Sequence, residues 1–242
     1  MPLLAPDSYR AAIRDEADAL VAAAERAGVD ASVPSCPDWD VGALLGHMGR
    51  VHRWAATCVE AKEPVSPAGL PKPPSPERLP AWVRAGAARL VEVLDRPAGD
   101  PAWTWAPDRT VGFWQRRQAH ETAIHRVDAE LAAGPPTPVP AALAADGIDE
   151  WLALLAFRPG AEPPSGDGET LHLHCTDEAG EWLVTLTEAG PAIERRNAKG
   201  DVAVRGPASD LLLVLLRRFE PERVEVLGTR SVLDDFLAHA AF

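Results

Sequence analysis

Apolar residues in the first half of the chain recur at helical spacing. From about Asp7 to Ala27, the stripe Tyr9, Ile13, Ala17, Leu20 and Ala24 lies opposite a charged face, and Gly28 is placed to stop the helix. Asp40 suits the N-cap of a second helix bearing Val41, Leu44, Leu45, Met48, Val51 and Ala55, with His47 bordering the stripe. From Glu63 to Pro80 the prolines 64, 67, 71, 73, 74, 76 and 80 argue against a regular element, and this linker is expected to cross the outside of a bundle. A third helix fits Ala81 to Asp95 through Trp82, Val83, Leu90, Val91 and Leu94. After the aromatic loop Trp103-Thr104-Trp105, a fourth helix runs from about Val111 to Ala133, closed by Gly134-Pro135-Pro136. A further amphipathic piece, Ala141 to Phe157, either covers the bundle or bridges to the next unit.

The period then shortens. Arg158 to Gly168 is rich in Pro, Gly and Ser and reads as an interdomain linker. Beyond it Leu171, Leu173 and Cys175 alternate with His172, His174 and Thr176, and Asp177-Glu178-Ala179-Gly180 turns the chain into Trp182, Val184 and Leu186, a β-hairpin. Short strands at Ala192–Arg195 and Val202–Arg205, a helix from Ala208 to Arg217, a strand Val224–Leu227 and a last helix ending near Ala240 complete the pattern. The reading is a two-domain α+β chain, a helical bundle over residues 1–160 and a small α+β domain over 161–242.

Composition narrows the functional classes. The 242 residues are 46% hydrophobic, enough for a real core, and the net charge of −12 lacks the basic footprint of a nucleic-acid or anionic-membrane binder. No stretch approaches a membrane span and the N-terminus does not read as a signal peptide, so a cytoplasmic protein is expected. Cys36, Cys58 and Cys175 are odd in number and far apart, which leaves no disulfide framework and no Cys-x-x-Cys motif. Structural thiols are expected.

The chemistry concentrates on the fourth helix. Glu121 and His125, four apart, differ by about 40° around the axis and project from one face. With His47 from the second helix they make one carboxylate and two imidazoles, a donor set for zinc that leaves the fourth tetrahedral position open, as catalytic sites do. The competing readings are a surface Glu–His pair and a hydrogen-bonded core His47. His52 lies about 140° from His47 and is left out of the site; His120 is expected to face solvent or to support the site from behind, and Asp128 to orient a ligand or merely to cap or solvate. His172 and His174 share a strand face and are expected to look outward, a second metal site there being the weaker reading. Trp54, Trp103, Trp105 and Trp114 are candidate pocket walls, with the core as the rival location.

The segment Val33-Pro34-Ser35-Cys36-Pro37-Asp38-Trp39-Asp40-Val41, followed by Leu45-Gly46-His47, resembles the first signature of the mycothiol-dependent maleylpyruvate isomerase-like family. Glu121-x-x-x-His125-Arg126-Val127-Asp128 is similar to its second signature, and Asp201 to Leu211 to its C-terminal domain. The resemblance implies an N-terminal DinB-like four-helix bundle with zinc on His47, Glu121 and His125, and a C-terminal α+β domain resembling sterol carrier protein. It implies mycothiol, or a similar low-molecular-weight thiol, as cosubstrate, and a small electrophilic or carboxylate substrate. It also implies a carboxylate-binding arginine on the third helix, Arg84 with Arg89 as competitor. The expected activity is thiol-dependent cis-trans isomerisation of the maleylpyruvate type, or S-transfer to an electrophile. The alternatives are a metal-braced carrier of an apolar ligand, suggested by Leu211-Leu212-Leu213-Val214-Leu215-Leu216, and a zinc-water hydrolase.

Overall fold

The computed structural model describes residues 4–155 and 163–240. The contacts divide the chain into two compact units, Pro2–Thr137 and Pro138–Phe242.

The first unit holds four long helices, α1 (Pro6–Ala27), α2 (Val41–Ala61), α3 (Leu79–Val93) and α4 (Val111–Ala133). Their ends follow local chemistry. The Asp40 carboxylate accepts from Ala43 N at 2.7 Å and caps α2, the Thr110 hydroxyl accepts from Phe113 N and caps α4, and Gly28 and Gly134 leave α1 and α4 at positive φ. α3 begins at Leu79, two residues before its expected start, because Pro80 sits in the first turn, where its missing N–H costs nothing. The preceding Pro-rich linker forms only two single turns, Pro67–Gly69 and Pro76–Arg78.

α4 packs chiefly on α1 and also on α2, and α3 packs on α2 and α1. Little of α4 faces solvent, and its buried surface includes Gln115, Gln118, His120, Thr122, Arg126, Asp128 and Glu130. Polar side chains in such a place must be satisfied within the protein. Arg126 Nε donates to Glu16 on α1 at 2.7 Å, and its Nη1 donates to Glu130 at 2.7 Å and to the carbonyl of Thr137 at 2.6 Å. Between α2 and α3 the Trp82 ring packs directly on the α2 backbone at Gly49, where an added Cβ would clash with it.

In the second unit, α5 (Ala141–Leu154) packs on α6 (Ala208–Leu215), which is why the contacts divide after Thr137 and not near residue 160. The expected extension of α5 to Phe157 and the first part of the expected linker fall outside the described residues. A five-stranded sheet of β1 (Thr170–Cys175), β2 (Glu181–Thr187), β3 (Gly190–Glu194), β4 (Val202–Gly206) and β5 (Glu225–Gly228) has the order β3-β2-β1-β4-β5. The β1–β2 hairpin is antiparallel as the alternation predicts, with Leu173 opposite Trp182 and His174 opposite Glu181. β4 pairs parallel with β1, while β3 and β5 lie antiparallel at the edges. Leu171, Leu173, Trp182, Val184, Val202 and Val204 form the buried face, and α7 (Arg230–His239) packs against β1 and β4. The apolar run from Leu211 to Leu215 is buried in this core. The architecture is thus a helical N-terminal domain followed by an α+β sheet domain. Among the described residues no helix is long and apolar enough to cross a membrane.

Candidate metal centre

α2 and α4 bring His47, Glu121 and His125 together. His47 Nε2 lies 3.4 Å from Glu121 Oε1, His125 Nε2 lies 3.4 Å from the same oxygen, and the donor atoms all lie within 4.8 Å of one another. Ligands bonded at zinc–nitrogen or zinc–oxygen lengths sit about 3.3–3.4 Å apart along the edge of a tetrahedron. These two edges match that spacing, and two imidazoles with one carboxylate are a donor set that suits zinc.

Asp128 orients the cluster from behind. Its Oδ2 lies 2.8 Å from His125 Nδ1, so the imidazole is held by one nitrogen and presents the other to Glu121. Of the two roles left open for Asp128 this is the one adopted: its side chain is fully buried, and its Oδ1 accepts from the Ser35 hydroxyl at 2.6 Å. Cys36 Sγ stands 4.0 Å from Oδ2. The Pro-Ser-Cys-Pro loop is folded on itself by Cys36 N→Val33 O and Trp39 N→Cys36 O bonds, and it sets the Trp39 ring 4.8 Å from His47 and 6.0 Å from His125 between centroids. The roles of Ser35, Cys36 and Trp39 were not assigned from the sequence. Asp128, the partner of Ser35 and Cys36, is 93 and 92 positions away from them, and the motif spacing carried the only signal.

Charge in the cluster is strongly coupled. Withdrawal from water opposes ionisation of Glu121, yet bonds from His125 and His47 and the Arg117 guanidinium hold its carboxyl well below the usual range. Burial likewise opposes protonation of His125, but Asp128 and Glu121 outweigh it and raise the imidazole to about 9.

The neighbouring histidines play other parts. His52 is fully buried on α2, and its Nε2 lies 3.0 Å from Thr122 Oγ1, whose own proton goes to Gln118 O. His52 is therefore the Nε2–H tautomer. His120 does not face solvent; α4 has no exposed side there, and the ring packs edge-on against Tyr9 of α1 at 6.2 Å.

A cavity of about 680 Å³ opens beside His47. Trp39, Gly46, Arg50, Val51 and Trp54 line one side and the linker residues Pro67, Leu70, Pro73 and Pro74 the other. The linker therefore walls this cavity, which its expected path over the outside of the bundle did not include. Trp54 is the one expected tryptophan on this wall; Trp103 and Trp114 pack edge-on behind it, and Trp105 packs on Phe113. The third-helix arginines are placed elsewhere: Arg84 pairs with Asp18 at 3.3 Å and Glu25 at 3.7 Å, and Arg89 with Glu60 at 2.6 Å. Neither is among the cavity-lining residues, whereas Arg50, one turn beyond His47, is.

Residues 10–130 match the mycothiol maleylpyruvate isomerase N-terminal domain, and residues 142–235 match the MDMPI C-terminal domain. The chain belongs to the mycothiol maleylpyruvate isomerase family. Two solved structures in this family, the mycothiol-dependent maleylpyruvate isomerase and a histidine-to-alanine variant of it, align with the chain at 14% and 13% identity and TM-scores of 0.61 and 0.64. In both cases 92% of this chain and 93% of the other are covered, which establishes a shared fold. The ubiquinone-synthesis protein UbiJ-SCP2 aligns over 40% of this chain and 88% of its own at 20% identity, with a TM-score of only 0.31. No curated protein matches the sequence.

Proposed function

We propose that this member of the mycothiol maleylpyruvate isomerase family binds a divalent ion, zinc by the nature of the donors, on His47, Glu121 and His125. With it the protein uses mycothiol or a similar low-molecular-weight thiol for cis-trans isomerisation of the maleylpyruvate type or S-transfer to a small electrophile. The supporting observation is the pair of 3.4 Å edges joining two imidazoles from separate helices to one carboxylate oxygen, with one of those imidazoles, His47, lining a cavity large enough for small reactants. When bound, the ion supplies a Lewis acid that favours the thiolate form of a coordinated thiol at neutral pH.

The chain's own residues supply position and exclusion. Asp128 fixes the ring of His125, and Trp39, Trp54 and the linker residues Pro67, Leu70, Pro73 and Pro74 give the cavity wall its apolar surface. Arg50 lines the wall with its Nη2 donating to the carbonyl of Pro67 at 3.0 Å, and its remaining N–H groups can meet a substrate carboxylate. In this reading it takes the anion-binding role that the resemblance points to Arg84.

Two measurements test the proposal. Zinc bound by the purified chain is expected to fall by one equivalent in His47→Ala. Turnover of a maleylpyruvate-type cis-enone acid, or conjugation of a small electrophile, is expected only when the thiol is added. Equal zinc in both proteins removes His47 from the site, and a water-cleaved product formed without thiol replaces the proposal with a zinc-water hydrolase. Arg50→Ala is expected to raise KM for a carboxylate substrate by about tenfold or more, the value of a lost charged hydrogen bond, with zinc content unchanged.

A further inference from the structure

The sheet of the second unit carries another set of the same donors. His172 and His174 point to one face of β1, two residues apart, and Glu181 of β2 stands directly opposite His174 in the register. Among the described residues this is the other place where three such side chains offer ligand atoms within 4.8 Å of one another. His172 was expected to look outward, but it is 91% buried. It sits on the inner strand between Leu183 and Ala203 of the neighbouring strands, and residues 197–200 help to line the cavity beside it.

An ordinary ion pair accounts for part of this cluster. His174 Nδ1 contacts Glu181 Oε1, and Asn197 Nδ2 donates to the same oxygen at 3.2 Å. That pairing leaves His172 unexplained, because its Nε2 is buried without a hydrogen-bond partner. A buried ring nitrogen of this kind is costly unless something bonds to it. The surrounding arginines do not fill the place: Arg205 pairs with Glu225 at 3.2 Å, Arg196 with Glu194 at 3.0 Å, and Arg195 with Asp149 at 3.6 Å. Their charges are largely compensated, so the carboxylate of Glu181 sets the local preference for a cation.

We propose that His172, His174 and Glu181 form a second divalent transition-metal site, a clip between β1 and β2 that is independent of the helical trio. Two imidazoles and a carboxylate select zinc or a neighbouring transition ion over calcium and magnesium, which prefer all-oxygen shells. The cavities on either side, about 670 Å³ next to His172 and about 400 Å³ next to His174 and Glu181, give an ion access from solvent. The chain would then hold two ions in unlike surroundings.

Metal-free full-length protein, equilibrated with Zn²⁺ by dialysis and measured for bound metal, tests this. Two equivalents are expected for the wild type, one for His174→Gln, one for Glu181→Gln, one for His47→Ala and none for His47→Ala combined with His174→Gln. Replacing Zn²⁺ with Co²⁺ gives each site its own visible spectrum, and the Glu181→Gln difference spectrum is expected to survive in His47→Ala. Glu181→Gln keeps size and shape and decides the matter if His174→Gln fails to fold. Unchanged stoichiometry in Glu181→Gln, or a single ion lost only in His47→Ala, overturns the proposal. A single ion lost with Glu181→Gln and retained in His47→Ala upholds it, and defeats the helical centre instead.

Discussion

Asp128 shows how much a single side chain behind the His47–Glu121–His125 cluster fixes its geometry. It is fully buried and divides its two oxygens between His125 Nδ1 and the Ser35 hydroxyl, so it ties the ligand on α4 to the loop that carries Trp39. Asp128→Asn keeps the shape but removes the charge, and zinc affinity is expected to fall about 10- to 100-fold with the far-UV circular dichroism unchanged. A competition titration against a chromophoric chelator reads that loss. The Glu121–His125 pair was legible at four-residue spacing, and His47 from its place beside an apolar stripe. The role of Asp128 was legible only as one of two alternatives, because the sequence does not say that its side of α4 is buried. His52 makes a second residue-scale prediction. Burial pushes it down to about 3, against the raising effect of Glu121, so folded protein stays neutral where the unfolded chain, near 6.5, takes up a proton. Stability is therefore unaffected above pH 6.5 and declines as pH falls toward 3, by up to about 1.4 kcal/mol per unit. Urea midpoints between pH 6 and 4 are expected to decline less steeply in His52→Gln, and parallel slopes for the two proteins contradict this assignment.

At the scale of the element, α4 is the least typical helix and the most informative. The other helices of the bundle present an apolar stripe and a polar back, and their periodicity located them within a few residues of their observed ends. α4 buries polar side chains on several sides, so periodicity located it without showing which neighbours it would meet. Its position depends on the Arg126 network, which binds α1 through Glu16 and the following connection through Glu130 and Thr137. Burial alone would lower the pKa of this guanidinium, but the two carboxylates raise it. Arg126→Ala strands two buried carboxylates and is expected to cost about 3–5 kcal/mol of stability, measured by chemical unfolding. Arg126→Met together with Glu16→Gln and Glu130→Gln is expected to recover much of that loss, since no unpaired charge remains. If the single variant unfolds like the wild type, α4 is held by packing alone. The boundaries that moved most have the same kind of cause. Pro80 begins α3 instead of ending the linker, and α5 joins α6, a partner 54 or more residues further on that no local pattern specifies.

Across the whole molecule, the change of hydrophobic period from helical to alternating foretold a helical unit followed by an α+β unit, and both family domains match along the same chain. Each unit carries two imidazoles and a carboxylate in one cluster, and the physical settings differ in a way that makes them separable. The helical trio joins α2 to α4, elements with little other mutual contact compared with α4 on α1 or α3 on α2, so an ion there adds a constraint the packing leaves weak. The sheet trio joins strands already hydrogen-bonded along their length, so an ion there adds less to the cohesion of its unit. Zinc at one hundred times its dissociation constant stabilises a single site by about 2.7 kcal/mol. In a Glu181→Gln background, where only the helical trio is intact, that increment is expected in full in chemical unfolding followed by the far-UV helical signal, because most helical residues belong to the first unit. His47→Ala in the same background is expected to abolish it. A zinc-dependent gain of equal size in both proteins would mean that the ion stabilises the chain from somewhere other than α2 and α4.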